Sequence, residues 1–155
     1  MIFNSPTKGR MSLKRVIQEL LCFISEEPNR KYKIIIGTDS SGRGIKTDFV
    51  SALVVHRIGR GGRYFWKRIY YKKFATLRER VYKEVALSLE LAQKLLKNFE
   101  AEKLKQNLEI HVDVGQNGQT REMIKEVVGM VRGSGFNCKT KPESYGASTV
   151  ADKHV

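Results

Sequence analysis

The sequence predicts one α/β domain over residues 1–155, with a mixed five-stranded sheet, helices on both of its faces and an extra helix ahead of it. Three observations carry this expectation. Three runs rich in β-branched and aromatic residues come first, at Lys33 to Asp39, Phe49 to Ile58 and Arg63 to Lys72, separated by glycine-rich turns as in a meander. Helical and strand patterns then alternate to the end of the chain, and short crossovers of that kind place parallel strands beside one another. Finally, 155 residues with 41% hydrophobic content can bury one core, and no repeat, low-complexity tract or linker divides them.

Taken in order, residues 1–11 read as a loose arm. Ser12 can cap a helix in which Leu13, Val16, Ile17, Leu20, Leu21 and Ile24 recur at helical spacing before Pro28. "KYKIIIGTDSS" follows, an apolar strand that runs into an aspartate and two serines. The second strand is apolar on both faces and so internal, and "GRGG" at Gly59 to Gly62 turns it into the third, "RYFWKRIYYKK". Thr76 opens the longest helix, to about Phe99, and Thr76-Leu77-Arg78-Glu79 fits a capping box. "LEIHVDV", Leu108 to Val114, alternates as a fourth strand. Thr120 caps a helix with Ile124, Val127, Val128 and Val131 on one face. Phe136 to Thr140 is a short fifth strand, and a last helix starts near Ala147.

Charge narrows the partner. Twenty-nine Lys and Arg against 16 Asp and Glu leave +13, the footprint of a polyanion binder. No strongly basic amphipathic helix speaks for a membrane surface, and no run approaches the roughly 18 apolar residues of a membrane span. Nucleic acid, RNA or DNA, is the expected partner. Residues 1–10 lack the apolar core of a secretion signal, and Cys22 and Cys138 make neither a disulfide framework nor a zinc site. Together these point to the cytoplasm.

The carboxylates supply the candidate chemistry. The chain has four aspartates. Asp39 ends the first strand, and Asp113 lies near the end of the fourth on the face opposite Leu108, Ile110 and Val112. If those strands are parallel neighbours, both acids stand at the carboxyl edge where open sheets bind ligands. Asp152 belongs to the last helix, whereas Asp48, before the second strand, reads as solvated surface. On the long helix, Glu84 borders the apolar face, whereas Glu79 is a cap and Glu90 faces solvent. Pairing of Glu84 with a neighbouring Arg or Lys is the plainer alternative. Carboxylates that converge repel one another unless a cation sits among them, and oxygen-only ligands suit Mg²⁺ or Mn²⁺. Two such ions can clamp an in-line phosphoryl displacement.

The order of elements and these acids together resemble the ribonuclease H-like superfamily. Its members begin with a three-strand meander and carry acids on strand one, the next helix, strand four and the last helix. The matching stretches here are "GTDSS" (Asp39), "YKEVALSLELA" (Glu84), "HVDVG" (Asp113) and "STVADKH" (Asp152). "IIIGTDSS", "GQNGQTREMI" and "KPESYGASTVADKH" are similar to the YkuK-like family of bacterial proteins within it. The resemblance implies a metal-dependent nuclease acting on RNA, DNA or a hybrid or branched structure, with those four acids as catalytic metal ligands. The alternative is a non-catalytic nucleic-acid-binding protein that keeps the fold. Asp39-Ser40-Ser41 departs from the Asp-x-Glu of proofreading exonucleases.

Other residues are candidates for holding the nucleic acid: Ser40, Ser41 and Arg43 after the first strand, and Tyr64, Trp66 and Arg68 on one face of the third. Bases stacked beside a phosphate-binding arginine would use that second set. The ordinary preference of aromatic residues for strands explains it equally well. His111, Glu143, Gly115 to Gly118 and His154 also fall near the expected site. Structural or solvated roles account for each of them.

Overall fold

The meander folds as expected. In the computed structural model, which describes residues 1–144, 150, 151, 153 and 154, β3 (Tyr32–Arg43) pairs antiparallel with β4 (Lys46–Arg57), and β4 with β5 (Gly62–Lys72). On its other side β3 pairs in parallel with β6 (Leu108–His111), which in turn pairs in parallel with β7 (Asn137–Lys139). The fourth predicted strand is thus the parallel neighbour of the first.

Among the described residues the sheet has seven strands, not five. Residues 1–11, expected to be a loose arm, form a hairpin of β1 (Ile2–Ser5) and β2 (Gly9–Ser12), and the order is β2-β1-β5-β4-β3-β6-β7. Phe3 and Met11 are opposite one another in this hairpin and both are buried in the core. Asn4 pairs with Trp66, so the hairpin covers the edge that β5 would otherwise present to solvent. Four-residue strands of mixed polarity carry little periodicity of their own, and their stability comes from that edge.

β3 does not stop at Asp39 either. Its ladder with β4 continues through Ser41↔Asp48 to Arg43↔Lys46, and Gly44 with φ 62° begins a two-residue turn with Ile45. A positive φ at the first central residue alone fits a II′ hairpin turn. Asp48 is therefore inside β4, where it pairs with Arg68 at 3.3 Å, and is not the free surface acid expected. The partner strand continues the ladder along the polar stretch, so composition that usually punctuates a chain is carried into the sheet.

The three long helices among the described residues share one face. α1 (Leu13–Glu26), α2 (Leu77–Lys97) and α4 (Ile124–Gly133) pack Val16, Leu20, Val85, Leu91 and Val127 onto Ile34, Ile36, Leu53, Phe65 and Ile110. All these strand residues point to one side, because side chains alternate along each strand. On the opposite face the described residues place Val150 and Ala151 against Val50, Ala52 and Trp66, with His154 stacked on Trp66. Helices on both faces were expected; among the described residues the second face carries a single short helical piece.

Local signals hold where they are short-range. Ser12 Oγ accepts from Arg15 N–H, and Thr76 and Glu79 form the capping box of α2. Thr120 is different. Its side chain makes no cap and instead accepts from Gly115 N–H, with a 3₁₀ turn, Arg121–Met123, leading into α4. A short helix α3 (Phe99–Glu102) and a 3₁₀ turn at Lys105–Asn107 connect α2 to β6. No helix among the described residues is long and apolar enough to cross a membrane.

Candidate acid site and its surroundings

The site begins with the alternation of β3. Thr38 and Ser40 face the helices, and Asp39 faces the other side. Thr38 Oγ1 is 2.8 Å from Ser51 Oγ and accepts from Ser88 of α2 at 2.9 Å. This buried hydroxyl ladder fixes the register of α2 on the sheet. Ser88, Glu84 and Arg80 lie at i, i−4 and i−8, so they share one stripe of the helix. Fixing Ser88 over Thr38 sets Glu84 over Ser40, two residues along the strand.

Ser40 then links two charges. Its hydroxyl donates to Glu84 Oε1 at 2.5 Å and accepts from Arg80, whose Nε and Nη2 are each 3.1 Å away. Arg80 Nη2 also donates to the Ser40 carbonyl at 2.7 Å. Glu84 is only 8% exposed. Burial pushes its carboxyl up to about 8; the Ser40 hydrogen bond and the Arg80 charge oppose this, while the charges of Asp39 and Asp113 add to it. At neutral pH Glu84 is thus mostly protonated. The plain alternative, a direct pair with a neighbouring cation, is not what holds it: the serine stands between Glu84 and Arg80.

Asp39 accepts from Ser40 N–H at 2.9 Å. Asp113 follows β6, half-buried, with Lys141 Nζ 3.0 Å from its Oδ1. Lys141 reaches it by lying across Gly115, where an added Cβ would come within 2.9 Å of the lysine Cβ. The structure brings Asp39, Glu84 and Asp113 into one electrostatic neighbourhood, since both aspartates act on Glu84. Asp152 lies outside the described residues. Its neighbour Ala151 packs on Val50, the residue opposite Asp39 in the ladder.

Among the described residues no three His, Cys, Asp or Glu side chains gather closely enough to hold a metal ion. The donor chemistry agrees: Asp113 is met by an ammonium group and Glu84 by a hydroxyl and a proton. Arg80 and Lys141 complete the neighbourhood and were not expected. Arg80 could have been noticed as the residue one turn before Glu84, whereas nothing local in the sequence ties Lys141 to Asp113.

The candidate nucleic-acid residues are distributed differently. Tyr64, Trp66 and Arg68 share the open face of β5 as expected, but the Trp66 ring is covered. The His154 ring stacks on it with centroids 4.2 Å apart and planes 12° from parallel, and lies 5.9 Å from Tyr64. Arg68 is 5.6 Å from the indole and is paired with Asp48. Ser40 is buried and engaged, Ser41 is half-buried opposite Asp48, and the Arg43 side chain lies outside the described ones. His111 is buried with Nε2 3.0 Å from Glu109, which also pairs with Lys33; burial pushes the imidazole below its ordinary range. Glu143 borders a cleft with His56, His111 and Lys139.

Compared with known families, residues 15–155 match the family described as Ribonuclease H-like. The "Uncharacterized protein YkuK" of Bacillus subtilis (strain 168) is 30% identical over 167 residues, covering 98% of this chain and 95% of that protein. No solved structure matches. The parallel β3–β6 pair beside an antiparallel meander, with acids at its edge, agrees with that family match. The chain therefore belongs to the ribonuclease H-like superfamily and is related to YkuK within it.

Proposed function

We propose that the protein is a cytoplasmic RNA- or DNA-binding member of the superfamily. The net charge of +13 carries this reading. A cation-rich surface that neutralises phosphates releases condensed counterions, which gives both affinity and a steep dependence on salt. The acid site tempers that charge locally without cancelling it, because Glu84 is mostly protonated and Asp113 is paired with Lys141. Binding of single-stranded, duplex, hybrid and branched oligonucleotides, titrated from low to physiological salt, tests the reading. A clear negative slope of log affinity against log salt is expected, and absent or salt-independent binding overturns it.

A second reading is favoured by one observation, the charges of Asp39 and Asp113 acting together on buried Glu84. A divalent cation would relieve that repulsion. This reading assigns Mg²⁺ or Mn²⁺ to Asp39, Glu84, Asp113 and Asp152, and hydrolysis of phosphodiester bonds to the protein. Incubation of the same substrates with Mg²⁺, Mn²⁺ or EDTA separates the two. Cleavage that EDTA stops supports the nuclease; binding without cleavage in either metal supports the binding protein.

A further inference from the structure

The far end of the β3–β4–β5 meander carries a concentration of cations. Lys46 and Lys72 are directly opposite one another in the β4–β5 ladder, and Lys73 follows, with its N–H donating to the Ile45 carbonyl at 3.0 Å. Like charges placed opposite on antiparallel strands destabilise the pair. No carboxylate pairs with Lys46, Lys72, Lys73 or Lys83 among the described residues. Glu79, which lines the same cleft, is engaged by the Ala75 and Thr76 N–H groups at the start of α2.

Two further features adjoin these lysines. Ile45, at the hairpin tip, is 82% exposed. Beside it a cleft of about 870 Å³ opens on the helix side, with a mostly apolar floor that includes Tyr71, Phe74 and Tyr82, and with Lys72, Lys73 and Lys83 on its walls. Lys83 Nζ is 4.3 Å from the centre of the Tyr71 ring. Flat apolar rings between unpaired ammonium groups match the two faces of a nucleic-acid strand: bases that stack or pack, and phosphates that need cations.

The geometry points to this end of the sheet as the seat of a single-stranded nucleic acid, with Lys72 and Lys73 on phosphates and Ile45 and the Tyr71–Phe74–Tyr82 cleft on bases. The inference rests on the nucleic-acid reading above and adds the place and the strandedness. A duplex presents its bases edge-on in a groove and leaves such a cleft unfilled. An anionic membrane also attracts lysines, but Tyr71 and Phe74 are half-buried and pack edge-to-face on Phe49, so their rings are not free to enter a bilayer.

The test is fluorescence anisotropy with a labelled oligothymidylate at several salt concentrations, using wild type, Lys72→Gln/Lys73→Gln and Ile45→Ser. Removing two phosphate contacts should weaken binding and flatten the log–log salt slope by about 1.4, at roughly 0.7 for each contact on a single strand. Ile45→Ser should weaken binding and leave the slope unchanged, because it removes an apolar contact only. All three substitutions are at exposed positions, so folding is checked by an unchanged urea midpoint. Wild-type binding that neither variant alters overturns this inference and leaves the nucleic-acid reading standing. Absence of wild-type binding to any nucleic acid overturns both. Equal affinity for inorganic polyphosphate, or loss in the lysine variant of binding to phosphatidylserine vesicles but not to the oligonucleotide, also overturns it.

Discussion

Replacing Glu84 with glutamine should stabilise the protein, and the gain should grow with pH. In the folded state the Glu84 carboxyl is raised from 4.5 to about 8, chiefly by burial, so the folded protein holds a proton that the unfolded chain releases above pH 4.5. Stability from this group is fully present below about 4.5 and is lost as pH rises towards 8, after which the loss is constant. At about 1.4 kcal/mol per pH unit, the span costs wild type up to about 5 kcal/mol at pH 9. Glutamine has no such charge and still offers Ser40 an oxygen to accept its hydrogen bond. Other shifted groups, such as Glu19, Glu90 and Glu109, titrate equally in both proteins and cancel in the difference. Urea unfolding of both proteins at intervals between pH 4.5 and 9 measures it. The midpoints should be close at the acid end and separate progressively towards pH 8. A gap that does not change with pH, or a variant less stable at pH 9, would show that Glu84 is not held protonated by its surroundings.

Further expectations follow from the same contacts. A divalent cation that engages the acids must displace the Glu84 proton, so Mn²⁺ binding at pH 7 should release protons, read as heats that differ among buffers in calorimetry; binding without proton release excludes Glu84 as a ligand. Asp39→Asn removes a charge that raises Glu84, so the wild-type loss of stability between pH 4.5 and 8 should shrink; under the nuclease reading it should also abolish Mg²⁺- or Mn²⁺-dependent cleavage, and a fully active variant refutes that role. Lys141→Gln breaks an ion pair that is largely exposed on the lysine side, so stability should change by less than about 1 kcal/mol; a loss well beyond that in urea unfolding would show the pair organises the loop. His154→Ala uncovers the single tryptophan, and the Trp66 emission maximum should move to longer wavelength; an unchanged spectrum would mean that His154 does not shield the ring in solution.

The sequence by itself determined what depends on near neighbours along the chain. Helical spacing located α1, α2 and α4, the Thr76–Glu79 box marked the start of α2, and the meander followed by alternating helices implied parallel strands, now seen as β3 and β6. The acids Asp39, Glu84 and Asp113 were legible as a group because the face of a strand and the stripe of a helix follow from period alone, although β3 runs on past Asp39. Tertiary structure decided what depends on partners distant in sequence. β4 draws the polar stretch Ser40–Arg43 into a strand, and the exposed edge of β5 orders residues 2–12 as a hairpin. Ser88 on Thr38 sets Glu84 over Ser40, where burial protonates it, and Lys141 crosses Gly115 to reach Asp113. A charge or a short polar segment has no fixed fate of its own. The dielectric around it and the partner within hydrogen-bonding reach settle its state, and only the folded chain supplies those.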